Sequence, residues 1–214
     1  SVCFKYKSTD GDKFLGIKTF PAQWDDELVF IHHIVDITYE TVYQQHIETI
    51  AFMDELTKLF NRRHCMYQLE QLIQHKKAFS FCMIDADKLK KVNDEIGHDE
   101  GDTYLKKIAE ELKDATRSED IVCRLGGDEF AIIFLDCPED IVLQKMKAVD
   151  NRLHEQSKDY PMAISYGVIH VDKSTRNTST EIIKIADERM YVLKKSKKKA
   201  TENNFFMGTT PYFA

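Results

Sequence analysis

The chain has 214 residues, 43% of them hydrophobic, and a formal charge of −6 from 30 Lys and Arg against 36 Asp and Glu. This is enough chain for one large domain, or a domain with a small appendage, around a real core. The acidic balance argues against a general nucleic-acid binder, though not against a nucleotide enzyme that brings its own cation. No apolar run reaches membrane-span length and no charged-then-apolar leader is present. The fragment is therefore expected in the cytoplasm without direct membrane contact, even if a longer protein is tethered. Cys3, Cys65, Cys82, Cys123 and Cys137 form no CxxC pair and read as reduced, structural thiols.

Residues 1–37 read as a small β element. Val2–Lys7, Phe14–Phe20 and Leu28–Val35 have strand character, with turns at Ser8–Asp12 and near Pro21. Three strands need packing partners to be stable. Thr38 follows as a candidate helix cap. A helix from Tyr39 to Asp54 is predicted from the spacing of Val42, Tyr43, His46, Ile47, Ile50 and Met53. Helices and strands then alternate. Helices are predicted at Arg62–His75, Ala86–Glu95, Glu100–Thr116, Pro138–Gln156 and Thr180–Lys195. Strands are predicted at Phe79–Ile84, Ile121–Cys123, Phe130–Phe134 and Met162–Val171. This order suits an α/β or α+β sandwich built on one main sheet. Residues 200–214 receive no assignment.

Two acidic clusters stand out. The run Arg124-Leu-Gly-Gly-Asp-Glu-Phe130 lies between two strand-like stretches, so Gly126 and Gly127 fall in a tight hairpin turn. A bare turn followed by Asp128 and Glu129 suits a phosphate balanced by a divalent cation. An ordinary hairpin with a solvated acidic tip also fits the spacing. The other cluster is Asp85-Ala86-Asp87, at the end of a strand. It is not a calcium loop, because Lys90 and Ile96 stand where Gly and Glu are required. Asn93-Asp94, Gly97-His98 and Gly101-Asp102 follow. An Asn and an Asp together present the acceptors and donors that match a guanine edge. Taken alone, the pattern reads first as Asn93 and Asp94 ending one helix while Asp99 or Asp102 caps the next.

In combination these runs resemble the GGDEF family of diguanylate cyclases over Asp54–Lys199. Asp54-Glu-Leu-Thr57, Asn61-Arg-Arg63, Ser165-Tyr-Gly167 and Ala186-Asp187-x-x-Met190-Tyr191 add to the match. The resemblance implies an α+β, nucleotidyl-cyclase or polymerase palm-like domain: a central, mostly antiparallel sheet flanked by helices. It implies condensation of two GTP into cyclic di-GMP with release of two pyrophosphates, by a homodimer. By resemblance, Asp85, Asp128 and the Ala86 carbonyl hold Mg²⁺ or Mn²⁺, and Asp128 with Glu129 is catalytic. Asn93 and Asp102 match guanine readers, and Gly126, Gly127 and His98 belong to the substrate site. Leu89, Lys90, Lys194 and Lys198 match phosphate contacts. Arg117 and Asp120 match an inhibitory site for the cyclic di-GMP product, at the family's RxxD offset. Residues 1–37 resemble the last strands of a PAS sensor, and 38–53 a signalling and dimerisation helix, leaving 200–214 as a tail. Lys58 stands where the family usually has Gly, and Lys197-Lys-Lys199 where it ends in Gly-Arg-Asn. The alternative is a module that binds GTP or cyclic di-GMP but has lost cyclisation.

Overall fold

The computed structural model describes residues 2–8, 11–156 and 160–207, which divide into two compact units, 1–51 and 52–214.

In the first unit β1 (Val2–Ser8), β2 (Gly11–Trp24) and β3 (Glu27–Asp36) form an antiparallel meander. The turn expected near Pro21 lies instead at Asp25–Asp26, both at positive φ (46° and 66°) as a two-residue hairpin turn requires. Pro21 sits inside β2, paired with Phe30. It is tolerated because β1 pairs with β2 only as far as Ile17, so β2 is an edge at Pro21 and loses no ladder bond. Helix α1 (Thr38–Phe52) follows. Thr38 does not cap it. The Asp36 carboxylate accepts the Thr38 N–H (2.9 Å), and the Thr38 hydroxyl accepts the N–H of Phe14 (2.9 Å). Phe4, Phe20, Trp24, Leu28, Phe30, Ile31 and Ile34 are exposed on this sheet, as are Tyr39, Val42, Tyr43, Ile47 and Ile50 on α1.

The second unit holds β4 (Phe60–Asn61), α2 (Arg62–Gln74), β5 (Phe79–Ala86), α3 (Leu89–Glu95), α4 (His98–Asp114), β6 (Ile121–Gly126), β7 (Glu129–Leu135), α5 (Glu139–Gln156), β8 (Ile164–Val171) and α6 (Ser179–Met207). Its sheet runs β4-β6-β7-β5-β8, antiparallel except for the short β4–β6 pairing. This is the expected architecture. All of β5 is buried, which explains why apolar residues occupy both of its faces, with Ser80 donating to the Cys137 carbonyl and Asp85 at the strand end. Alternate side chains serve opposite faces. Cys82, Ile84, Phe130, Ile132 and Phe134 join the apolar faces of α3, α4 and α5. Phe79, Phe81, Met83, Ala131 and Ile133 join α2 and α6 through Cys65, Leu69, Ile182, Ala186 and Met190. Each large side chain so buried contributes roughly 1.5–3 kcal/mol.

Some boundaries differ from expectation. Ala86 ends β5 rather than opening a helix, because Lys88 turns the chain at φ 65° before α3. Helix α6 continues past Lys195 into the segment left unassigned; residues 208–214 lie outside the described ones. Cys65, Cys82, Cys123 and Cys137 are buried free thiols, as expected, while the side chain of Cys3 lies outside the described residues.

Candidate active site

Asp85 is the penultimate residue of β5 and pairs with Glu129 at the start of β7. Gly127 and Asp128 form the β6–β7 turn, with Gly126 at φ 138° and Gly127 at φ 55°, conformations that L side chains resist. The Ala86 N–H donates to the Asp128 carbonyl (2.8 Å), fastening the turn to the end of β5. Asp85, Ala86, Asp128 and Glu129 thus share one edge of the sheet. Nothing lies within 4 Å of where a Cβ on either glycine would stand, so the turn is open to a ligand.

Arg124 holds this turn from behind. Its guanidinium donates to the Gly127 carbonyl (2.8 and 3.2 Å) and to the Asp54 carboxylate (3.2 and 3.4 Å). Asp54 also accepts from the Thr57 N–H (2.8 Å) and hydroxyl (2.7 Å). Burial pushes the Asp54 carboxyl up, but the Thr57 bonds and Arg124 outweigh it and hold the pKa below 3.8. The Asp54-x-x-Thr57 run therefore braces the acidic turn. Its sequence match carried no such role for Arg124.

The acids are short of positive charge. Burial raises the Asp85 pKa; Lys194 pulls it back, while Asp128 and Asp87 push it further up. Burial likewise raises Glu129, with Asp128 adding to it and Arg62 opposing. Lys194 on α6 donates to Asp85 at 2.6 Å. Burial works against its charge, yet the bond to Asp85 and the field of Asp128 and Asp87 leave its pKa raised. Lys194 at Asp85, Lys197 3.8 Å from Asp87 and the field of Arg62 at Glu129 offset the four carboxylates only in part, and the acids that remain suit a divalent cation. Lys194, matched to a phosphate contact, rests on a carboxylate here. Among the described residues no three His, Cys, Asp or Glu side chains gather as a closed metal cage.

A second layer supports the first. The Ser165 hydroxyl donates to the buried Asp87 carboxylate (2.9 and 3.0 Å). The Tyr104 hydroxyl donates to the Asp87 carbonyl (2.9 Å) and accepts the Ala163 N–H (3.0 Å). Lys197 donates to Asp150 (2.6 Å) and to the Ile164 carbonyl (2.7 Å). The lysine at the usual Gly position is thus turned inward, tying α6 to α5 and β8. A Cβ on Gly167 would collide with the Ala186 carbonyl and the Met190 N–H, so Gly167 admits α6 against β8.

Asn93 lies in the last turn of α3, half-buried, and Asp102 is exposed in α4 just after Gly101. Neither Asp99 nor Asp102 caps α4. Gly97, at φ 124°, occupies the cap, and Asp99 and Glu100 fall in the first turn, where the helix dipole favours them. His98 opens α4 and is exposed, while Lys90 is exposed beside the buried Leu89 at the start of α3. Lys198 is exposed on α6.

Arg117 and Asp120 do not form a side-chain pair. Asp120 accepts the N–H of Arg117 (3.0 Å) and of Leu135 (3.1 Å), so its carboxylate fixes the loop. The Arg117 guanidinium is exposed, 3.8 Å from Glu119. Both residues line a groove of about 380 Å³ together with Met53, Leu59, Phe60, Val122, Lys58 and Lys113.

Residues 51–200 match the family described as diguanylate cyclase, GGDEF domain. The chain is 34% identical over 163 residues to the probable diguanylate cyclase DgcJ of Escherichia coli, covering 74% of this chain and 32% of that protein. It is 31% identical over 168 residues to the response regulator PleD of Caulobacter vibrioides, covering 72% and 36%. The chain thus spans about a third of the length of these relatives. Among solved structures, a microbial GGDEF domain studied with cyclic di-GMP is 29% identical at a TM-score of 0.62, covering 70% of this chain and 94% of that one. The coiled coil and GGDEF domain of DgcB from Caulobacter crescentus, in complex with c-di-GMP, reaches a TM-score of 0.69 at 19% identity, covering 75% and 89%. The family match and the acid-bearing hairpin coincide on the same residues, and this chain belongs to the diguanylate cyclase GGDEF-domain family.

Proposed function

We propose that this chain condenses two molecules of GTP into cyclic di-GMP and releases two pyrophosphates. The observation that carries this reading is the hairpin edge, where Asp85, Asp128 and Glu129 converge with an unbalanced negative charge. Mg²⁺ or Mn²⁺ fits the donor set of Asp85, Asp128 and the Ala86 carbonyl, with bound phosphates supplying further oxygens. When bound, such cations neutralise the triphosphate and acidify the attacking 3′-hydroxyl. Asp128 and Glu129 are the candidate bases, placed together at the turn into β7. Asn93 and Asp102 read the guanine edge. Leu89 and Lys90 at the start of α3, with Lys194 and Lys198 from α6, contact the phosphates. His98 and the open Gly126–Gly127 turn complete the substrate site.

One such site holds one GTP, and each 3′-hydroxyl must reach the α-phosphate of the other. The working form is therefore a homodimer with two-fold symmetry, its halves oriented through α1 and a PAS-like element of residues 1–37. The groove beside Arg117 is the inhibitory site for cyclic di-GMP. With Asp120 committed to the backbone, recognition there rests on Arg117.

The test is incubation of purified protein with GTP and Mg²⁺, the product being identified by mass. Asp128→Asn should lose nearly all turnover while keeping the fold. Normal synthesis by a folded Asp128→Asn protein removes the assignment. Bound but unconverted GTP in the unaltered protein favours the lapsed receptor.

A further inference from the structure

Gly101 is the fourth residue of α4 and is buried. Its backbone is not in the left-handed region, so the position does not need glycine for its conformation. Glycine also weakens a helix interior relative to alanine. What the missing side chain supplies is space, and the carboxamide of Asn93 fills it. A Cβ on Gly101 would overlap Asn93 Oδ1 outright and stand 2.9 Å from its Cγ. The amide of Asn93 therefore lies directly on the α-carbon of the residue before Asp102. The two proposed guanine-reading residues are thus linked through one backbone position, Asn93 of α3 packing on Gly101 of α4 and Asp102 following Gly101 in the chain.

We propose that Gly101 is a specificity-positioning residue: its bare α-carbon seats the Asn93 carboxamide beside Asp102, and any side chain there unseats it. The inference rests on the reading of Asn93 and Asp102 as guanine contacts. The atoms in the way are the far end of a flexible side chain, so α3 and α4 need not separate when a methyl group is added. Gly101→Ala should consequently spare the fold and strike recognition, a division that a purely packing glycine would not show.

The experiment measures binding of 3′-deoxy-GTP, which lacks the attacking hydroxyl and cannot be cyclised, and of 3′-deoxy-ATP, by calorimetry with Mg²⁺. The proteins are the unaltered chain, Gly101→Ala, Asn93→Ala and the double variant, each with a thermal midpoint. Gly101→Ala is expected to keep or raise the midpoint, to weaken the guanine nucleotide about tenfold, a loss of about 1.4 kcal/mol, and to leave the adenine nucleotide unchanged. In the Asn93→Ala background it should have no further effect, since the residue it displaces is gone. If Asn93→Ala weakens guanine binding and Gly101→Ala does not, the positioning role is overturned while the guanine reading stands. If neither variant changes guanine binding, the guanine reading fails and the proposal with it. Losses that simply add in the double variant show that Gly101 acts apart from Asn93, and also overturn it.

Discussion

Lys58, standing where the resemblance leads one to expect glycine, carries a left-handed backbone. It sits at φ 56°, where an L side chain crowds the following carbonyl, and its N–H closes the loop by donating to the Asp54 carbonyl (2.9 Å). The family's glycine would occupy this conformation freely. Lys58→Gly removes the strain but also loosens the unfolded chain, and the net gain is about 1 kcal/mol at most. For a unit of this size that raises the midpoint by roughly 2–4 °C. A thermal scan that finds no rise, or a fall, would mean the lysine makes contacts from the groove wall that outweigh its backbone strain. The neighbouring Asp54 sets the acid limit of the same loop. Its pKa is depressed in the fold, so its contribution is complete above 3.8 and is lost as pH falls below that value through the folded pKa.

The β6–β7 hairpin depends on elements far from it in sequence. Arg124 links its turn to the loop at Asp54, and the Ala86 N–H links it to β5. Arg124→Ala leaves the Asp54 carboxylate with only its Thr57 bonds and no cation, and takes the guanidinium donors from the Gly127 carbonyl, at a cost of about 1–3 kcal/mol. Turnover should fall by roughly tenfold or more as the turn loses its register. Arg124→Lys keeps the charge but lacks the planar fork that serves both partners, so it should regain stability more than turnover. Equal recovery of both in kinetics and melting curves would mean that charge alone matters. The hairpin was legible in the sequence because glycines between two apolar runs have few other uses. The buried strands were legible as short, nearly continuous apolar runs bounded by polar residues, and α2 and α4 by apolar positions at helical spacing. Less visible was anything set by partners distant along the chain. The Asp25–Asp26 turn was masked by Pro21, whose place depends on where β1 stops. Arg124, Gly101 and Lys197 show their roles only when Asp54, Asn93 and Asp150 are brought beside them. The run of α6 beyond Lys195 follows a polar, lysine-rich stretch that offers no apolar stripe to read.

The two units differ in how their apolar residues are used, and that difference predicts how the whole chain behaves. Every buried hydrophobic among the described residues lies at Leu59 or beyond, so the second unit has a complete core of its own. The first unit leaves Phe4, Phe20, Trp24, Leu28, Phe30, Ile31 and Ile34 in solvent, and α1 exposes a stripe from Tyr39 to Ile50. Apolar surface on that scale marks an interaction site. The proposed reaction, which needs two GTP-loaded copies, would give the site a use, since pairing through the first unit would raise the effective concentration of one catalytic unit at the other. Removing residues 1–51 should therefore leave the main unfolding transition of the second unit in place. Specific activity should fall most sharply in dilute solution, and the truncated protein should recover it as its concentration rises. The unaltered chain should show a weaker dependence on concentration over the same range. Sedimentation alongside the assays separates the outcomes. Full activity from a proven monomer at any dilution would rule out the two-fold reaction, whereas loss of the unfolding transition on truncation would show that the second unit does not stand on its own core.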